Sequence, residues 1–331
     1  MKFRFHNFAE LREILDSEQI SPPDYALKRE AFITGSSVEA AAAELDRRIA
    51  VTREALSKGL RTPQLSRSGL TRGAAAAFAG AERALVRDGL FRRAVAYALA
   101  INEVNACGGR IVSFPTAGSS GIVPGTIWAW WDTRRLQPHE GPEIREPASP
   151  ALPLAPPGES PAPPGESPAP PGESPAPPLD QTLREAFLVA SLAGIVIAQG
   201  ATLAGSEGGC QAECGAAGAM AASALSWLEG LSLDQCFSAA ALSLKNSLGL
   251  ACDPVAGLVE VPCVKRNAFV AVNALIAVDL TLAGVESVIP FDEVVWAMKQ
   301  IGNALPVIIK ENSSGGLAAT PTGLSYKERV T

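Results

Sequence analysis

Apolar residues recur along this chain at helical spacing and scarcely anywhere in the alternation that marks a half-buried strand. Ser36, with Glu39 three positions later, forms a capping-box pattern ahead of AAAELDRRIAVTREALSKG. In that stretch Leu45, Ile49 and Leu56 fall roughly on one face, which predicts an amphipathic helix. Phe91–Ala106 carries Val95, Leu99 and Asn102 at the same spacing. It is followed by Gly108–Gly109, where glycine can take the left-handed conformation of a C-cap. Further helices are predicted over about 182–204, 210–229, 235–249, 266–283 and 292–304. Several are rich in alanine and glycine, as in CGAAGAMAASAL, which lets helix axes approach closely. With an aromatic share of only 6%, the pattern predicts a tight all-α fold built from many helices.

The pattern breaks once. Pro147–Pro178 contains APPGESP three times in tandem, and the repeats carry no large apolar side chain to bury. Such a tract is predicted to be an extended, disordered, polyproline-like linker inserted in a surface loop. The chain therefore divides into an N-terminal helical part, 1–146, the repeat linker, 147–178, and a second helical part of the same domain, 179–331. Ala186–Ser206 is uncharged and about as long as a membrane span. Its three glycines, Gln199 and the lack of a basic flank favour a buried helix of a soluble core.

The 331 residues, 47% of them hydrophobic, are enough for one large core. A net charge of −6, with basic residues clustered no further than pairs such as Arg47–Arg48, Arg92–Arg93 and Arg134–Arg135, argues against a nucleic-acid surface. The start, MKFRFHNFAELREIL, lacks the apolar core of a signal peptide, so a cytoplasmic location is expected, with no membrane association. In that setting the six cysteines point to metal binding, catalysis or packing rather than a disulfide framework. The two histidines, His6 at the N-terminus and His139 entering the proline tract, are poorly placed for catalysis.

Candidate chemistry concentrates in the last third, in GSEGGCQAECG and LGLACDPVAGLVEVPC. Cys210, Cys252 and Cys263 each lie beside glycine or proline, where backbone bends can converge ligands from distant segments. Thiolates are soft donors suited to iron–sulfur clusters and zinc. A cluster held by three thiolates keeps one iron open as a Lewis acid toward a substrate oxygen. Upstream, SFPTAGSSGIVPG offers the hydroxyls of Thr116, Ser119 and Ser120. Gly118 and Gly121 free neighbouring amides just before a helix start near Ile122–Pro124, which is a recipe for an anion cradle. Ser68–Gly69–Leu70 and SSGGLAATPTG are weaker versions of the same signal.

The strings NEVNACGGRIVSFPTAGSSGIVPG, GSEGGCQAECG and LGLACDPVAGLVEVPCVKRNAFVAVNAL, followed by SVIPFDEVVWAM and GGLAATPTG, resemble the α chain of the iron–sulfur L-serine dehydratases. The resemblance covers nearly everything outside the proline tract. It implies a mostly helical catalytic domain with a [4Fe–4S] cluster on Cys210, Cys252 and Cys263, and conversion of L-serine to pyruvate and ammonia in amino-acid degradation feeding gluconeogenesis. Ser68 and the Thr116–Gly121 loop become candidates for binding substrate. Cys107 and Cys236 look dispensable, whereas Cys214, four residues after Cys210, is a rival ligand that would complete a four-cysteine zinc site.

Lys265, beside Cys263, is the first candidate for the general base, with Glu207 and Glu213 as alternatives. The family joins its α region to a β region, fused or separate. The Ser-His-Thr-Ala-Gly type sequence of the β part is absent here, so a separate β subunit is expected as partner and as an alternative source of part of the active site, the general base included, with a higher oligomer possible. Some fused relatives also end in a cysteine, which SYKERVT does not supply. A related iron–sulfur or zinc enzyme such as a cysteine desulfidase, a pyridoxal-phosphate eliminase using GSSG as a phosphate cradle, and a metal-stabilised scaffold are the competing readings.

Overall fold

The computed structural model describes residues 2–135 and 180–330, without the side chain of Arg135; His139 and the APPGESP repeats lie outside them. In chain order the α-helices are α1 (Phe8–Glu18), α2 (Pro22–Thr34), α3 (Val38–Arg61), α4 (Ala74–Ala79), α5 (Gly89–Ala106), α6 (Ile122–Arg135), α7 (Gln181–Gly200), α8 (Gly205–Gly208), α9 (Ala216–Leu228), α10 (Leu233–Lys245), α11 (Cys263–Leu282), α12 (Phe291–Ala304) and α13 (Pro321–Val330). Among the described residues β structure is confined to two isolated bridges, so the fold is all-α.

The centre is α9, every residue of which from Ala216 to Ser226 is buried. It packs against α7, α10, α11 and α6, while α5 packs on α3, α4, α6 and α11. Small side chains set these spacings: a Cβ at Gly125 would stand 2.8 Å from the Ala98 backbone nitrogen, so α6 lies directly on α5. Helices before and after the 136–179 segment thus share one core. The apolar helix α7 is mostly buried among α2, α9 and α12, as a core helix would be. At the periphery, Asp292 of α12 accepts from the Phe8 and Ala9 amides at 2.7 and 3.1 Å and anchors α1.

Several predicted boundaries shift for local reasons. The α3 cap is Ser37, whose Oγ accepts from Ala40 N at 3.1 Å. Ser36 belongs to the turn in which Gly35, at φ 65°, reverses the chain after α2, and its hydroxyl pairs with Thr34. The helix expected over 182–204 stops at Gly200, and the one expected from 266 begins at Cys263. The stretch expected as helix from 210 opens instead as a π-turn over Gln211–Gly215, in which the Cys210 carbonyl accepts from the amides of Glu213, Cys214 and Gly215. Both the early start of α11 and the π-turn place cysteines.

Candidate functional site

One cavity gathers residues from five parts of the chain. Cys210, Glu213 and Cys214 come from the π-turn, Cys252, Pro254, Gly257 and Val259 from the loop after α10, and Cys263 from the head of α11. Gly118 comes from the hydroxyl loop, and Glu311 from the C-terminal segment. The sequence fixes each wall locally. Gln211 rivets the π-turn, donating to Met298 O at 2.9 Å and accepting from Gly249 N at 2.9 Å. Cys252 donates its N–H to Ile309 O at 2.8 Å, and its carbonyl accepts from Glu311 N at 2.6 Å, so the C-terminal segment clamps this ligand loop. Asp253 extends the clamp by accepting from Leu317 N at 2.8 Å. Cys263 is the first residue of α11, where the helix dipole favours negative charge.

The electrostatics follow from burial and crowding. The Cys210 thiol is pulled down because Cys214 donates a hydrogen bond to it, with Arg266 adding in the same direction. Cys214 is correspondingly raised, by that bond first and by burial second. Burial raises Cys252, with Glu213 adding to it, and pushes Cys263 up to about 12, with Cys210 adding to it. Arg266 is the cation behind this wall. Burial opposes its charge, but Cys210, Cys214 and Cys263 more than offset that. Its guanidinium donates to Ala251 O at 2.7 Å and lies 3.7 Å from Asp253. Glu213 accepts from Thr116 Oγ1 at 2.8 Å and from the Cys252 thiol at 3.4 Å, and burial pushes its carboxyl up.

The expected substrate residues separate into two groups. Gly118 lines the cavity and Thr116 reaches Glu213. Ser119, Ser120 and Gly121 are tied into the scaffold. Ser119 donates to Phe114 O at 2.9 Å, Ser120 accepts from Asn102 at 3.3 Å, and the Gly121 amide donates to Asn267 Oδ1 at 3.0 Å. Ser68 donates to Glu260 at 2.6 Å, as does Thr71 at 2.6 Å, which braces the segment leading to Cys263 from outside the cavity lining. Lys265 is exposed and lines a separate depression with Asn246, Ser247 and Phe269. Glu207, the other carboxylate alternative, accepts from Thr202 at 2.6 Å and is also absent from the lining.

Sequence reasoning missed two buried amides. Asn267 Nδ2 donates to Gly118 O at 2.7 Å and to Cys263 O at 2.8 Å, joining the hydroxyl loop to a cysteine. Asn102 Nδ2 donates to Ala117 O and Gly118 O, both at 3.1 Å. Their only signal is an asparagine inside an otherwise apolar helix, where an unpaired amide would be costly. Glu311 was likewise unmarked.

The donor set suits a soft, multi-atom cationic group: Cys210, Cys252 and Cys263 face one cavity, and burial first and neighbouring negative charge second raise Cys252 and Cys263, so positive charge placed between them is favoured. Among the described residues no three His, Cys, Asp or Glu side chains close on a point that a single ion would occupy. A zinc ion needs that closure, with sulfurs at about 2.3 Å. A cluster would take its ligands from the walls of a larger space, and Cys210, Cys252 and Cys263 stand on the walls of one cavity.

Comparison with known proteins is consistent along the chain. A profile of the family described as "Serine dehydratase alpha chain" matches residues 14–146 and 173–318. The "Probable L-serine dehydratase, alpha chain" of Bacillus subtilis is 39% identical over 98% of this chain and 95% of its own length. The "L-serine dehydratase, alpha chain" of Peptoniphilus asaccharolyticus is 36% identical over 94% of each. The longer "L-serine dehydratase 2" of Escherichia coli is 35% identical over 67% of this chain and 40% of its own length.

Proposed function

Because the chain belongs to the serine dehydratase alpha-chain family, we propose that it is the α component of an L-serine dehydratase, a lyase that converts L-serine to pyruvate and ammonia. The observation that carries this reading is the single cavity shared by Cys210, Cys252, Cys263, Glu213 and the hydroxyl loop. Cys210, Cys252 and Cys263 would hold a [4Fe–4S] cluster, which when bound through three thiolates supplies a Lewis acid toward the substrate 3-hydroxyl. Arg266, buried behind the thiols, offsets negative charge on that wall.

Glu213 is the base assigned here. It lines the cavity, Thr116 fixes its Oε1, and a carboxyl held up by burial is suited to accepting a proton from carbon and giving it back. The α-proton passes to Glu213, the C–H electrons form the C2–C3 double bond, and the C3–O bond breaks with its electron pair on the hydroxyl oxygen, which takes the proton back from Glu213 and leaves as water. The resulting 2-aminoacrylate tautomerises and hydrolyses to pyruvate and ammonia. The Gly118 wall and Thr116 stand where a substrate carboxylate would be received, held there by Asn102 and Asn267.

A separate β-type chain is the proposed partner. The longer relatives extend well beyond the portion this chain matches, and two relatives matched almost end to end are themselves called alpha chains. A cytoplasmic enzyme of serine degradation accommodates all of these features. The test is anaerobic purification with iron and sulfide analysis, then a pyruvate assay on L-serine with and without a β-type chain. Cluster-loaded protein with a partner that yields no pyruvate overturns the reading; full activity without a partner removes only the β requirement.

A further inference from the structure

An amino acid brings two charged groups to the cavity, and its ammonium is what separates it from a hydroxy acid. The lining residues contain two carboxylates, Glu213 and Glu311. Glu213 is engaged by Thr116 and Cys252 and set against the thiol wall. Glu311 is exposed and lines the cavity from the C-terminal segment, far along the chain from the π-turn that carries Glu213. Its backbone is specified closely. At φ 62° it occupies the left-handed region that glycine fills without strain, and its N–H is committed to Cys252 O at 2.6 Å. Two residues on, Ser313 is also left-handed, at φ 53°, and donates to Pro254 O at 2.7 Å. Strained non-glycine backbone persists where the surroundings over-determine it, and it gathers at ligand sites.

We propose that Glu311 recognises the α-ammonium group of the amino-acid substrate at the cavity mouth and so sets specificity for amino over hydroxy acids. The proposal rests on the dehydratase reading for its substrate. Its clamp to Cys252 fixes the backbone from which the carboxylate reaches, relative to the thiol wall, as a charge that must meet one end of a small zwitterion requires. A site built to pair a substrate N–H group discriminates strongly against an analogue lacking it, because the site's own polar group is then left unpaired.

The test compares L-serine with 3-hydroxypropionate, which keeps the carboxylate and hydroxyl and lacks the amine. Binding of both to the anaerobic, cluster-loaded chain assembled with its β-type partner is measured by calorimetry, with iron and sulfide content confirming equal loading. Glu311→Gln should weaken L-serine by about tenfold or more and alter 3-hydroxypropionate by less than about twofold. Glu311→Asp should keep part of the discrimination. Glu311→Gly, which relaxes the backbone while removing the charge, should match Glu311→Gln. Equal weakening of both ligands, unchanged serine binding in Glu311→Gln, or recovered serine binding in Glu311→Gly overturns the assignment, as does wild-type protein that binds neither. Discrimination that depends on Glu311 without any pyruvate formation supports the assignment and removes the dehydratase reading instead.

Discussion

On the inner side of the first two turns of α11, Cys263 and Asn267 are buried against the π-turn and the hydroxyl loop, with Arg266 turned toward the same sulfurs. On the outer side Lys265 and Phe269 line an open depression with Asn246, Ser247 and Asn273, which Arg266 borders on its way inward, and Phe269 is 77% exposed. Two cations adjacent in sequence therefore sit in different dielectrics. A charge in a desolvated wall interacts with its neighbours several-fold more strongly than one in water. Neighbourhood in the chain made Lys265 the natural candidate for the base; helical rotation of about 100° per residue carries it away from the sulfurs and delivers Arg266 to them.

The strongest way to break this contrast is to remove the inner sulfurs. Serine at Cys210, Cys252 or Cys263, singly, should abolish iron retention and reduce pyruvate formation to background, because a neutral hydroxyl replaces a soft thiolate. Cys214→Ser should retain iron, and equal loss there would make Cys214 a ligand. Glu213→Gln should lower kcat by about 10²–10⁴-fold while iron content stays near wild type, the range for a lost acid–base group.

Arg266→Met should cost about 3 kcal/mol in unfolding free energy, since Asp253, whose Oδ1 has no hydrogen-bond partner, loses its nearby cation. Denaturant titration of the metal-free chain reads this directly. Asn267→Ala removes its bonds to the Gly118 and Cys263 carbonyls, leaves the buried Gly121 amide without its acceptor and should cost about 2 kcal/mol by the same titration. Faster hydrogen exchange at the Gly121 amide, which loses its acceptor, should accompany it. Lys265→Ala should change turnover by less than about twofold, as an exposed surface charge would. A loss as deep as that of Glu213→Gln would return the base to Lys265 and collapse the distinction between the two sides.

Periodicity in the chain was enough for the helical class and most long helices, because an apolar stripe at 3.6 spacing has one inexpensive solution. The cysteines were legible through their glycine- and proline-rich surroundings and the family resemblance they carry. The proline repeats stand apart by composition alone. Less legible were places where a local rule yields to a tertiary contact. The π-turn keeps helical composition while widening to seat Cys210 and Cys214, and α11 begins three residues before its apolar periodicity does.

Roles within SFPTAGSSGIVPG show the same division. The sequence by itself determined that this stretch would be a hydroxyl-rich turn feeding a helix, because glycine, proline and serine constrain the backbone locally. Which hydroxyl reaches the cavity's carboxylate was decided by Asn102 and Asn267, which bind the Ala117 and Gly118 carbonyls, Ser120 and the Gly121 amide and leave Thr116 to Glu213. Likewise the sequence supplied an ordinary surface-type glutamate at 311, and only the clamp between the Cys252 loop and the C-terminal segment brought it to the cavity. The physical reason is common to both cases. Backbone preference acts between neighbours, whereas a buried amide or an unpaired backbone group must find its partner wherever the fold puts one, and for Asn267 that partner lies 149 residues away.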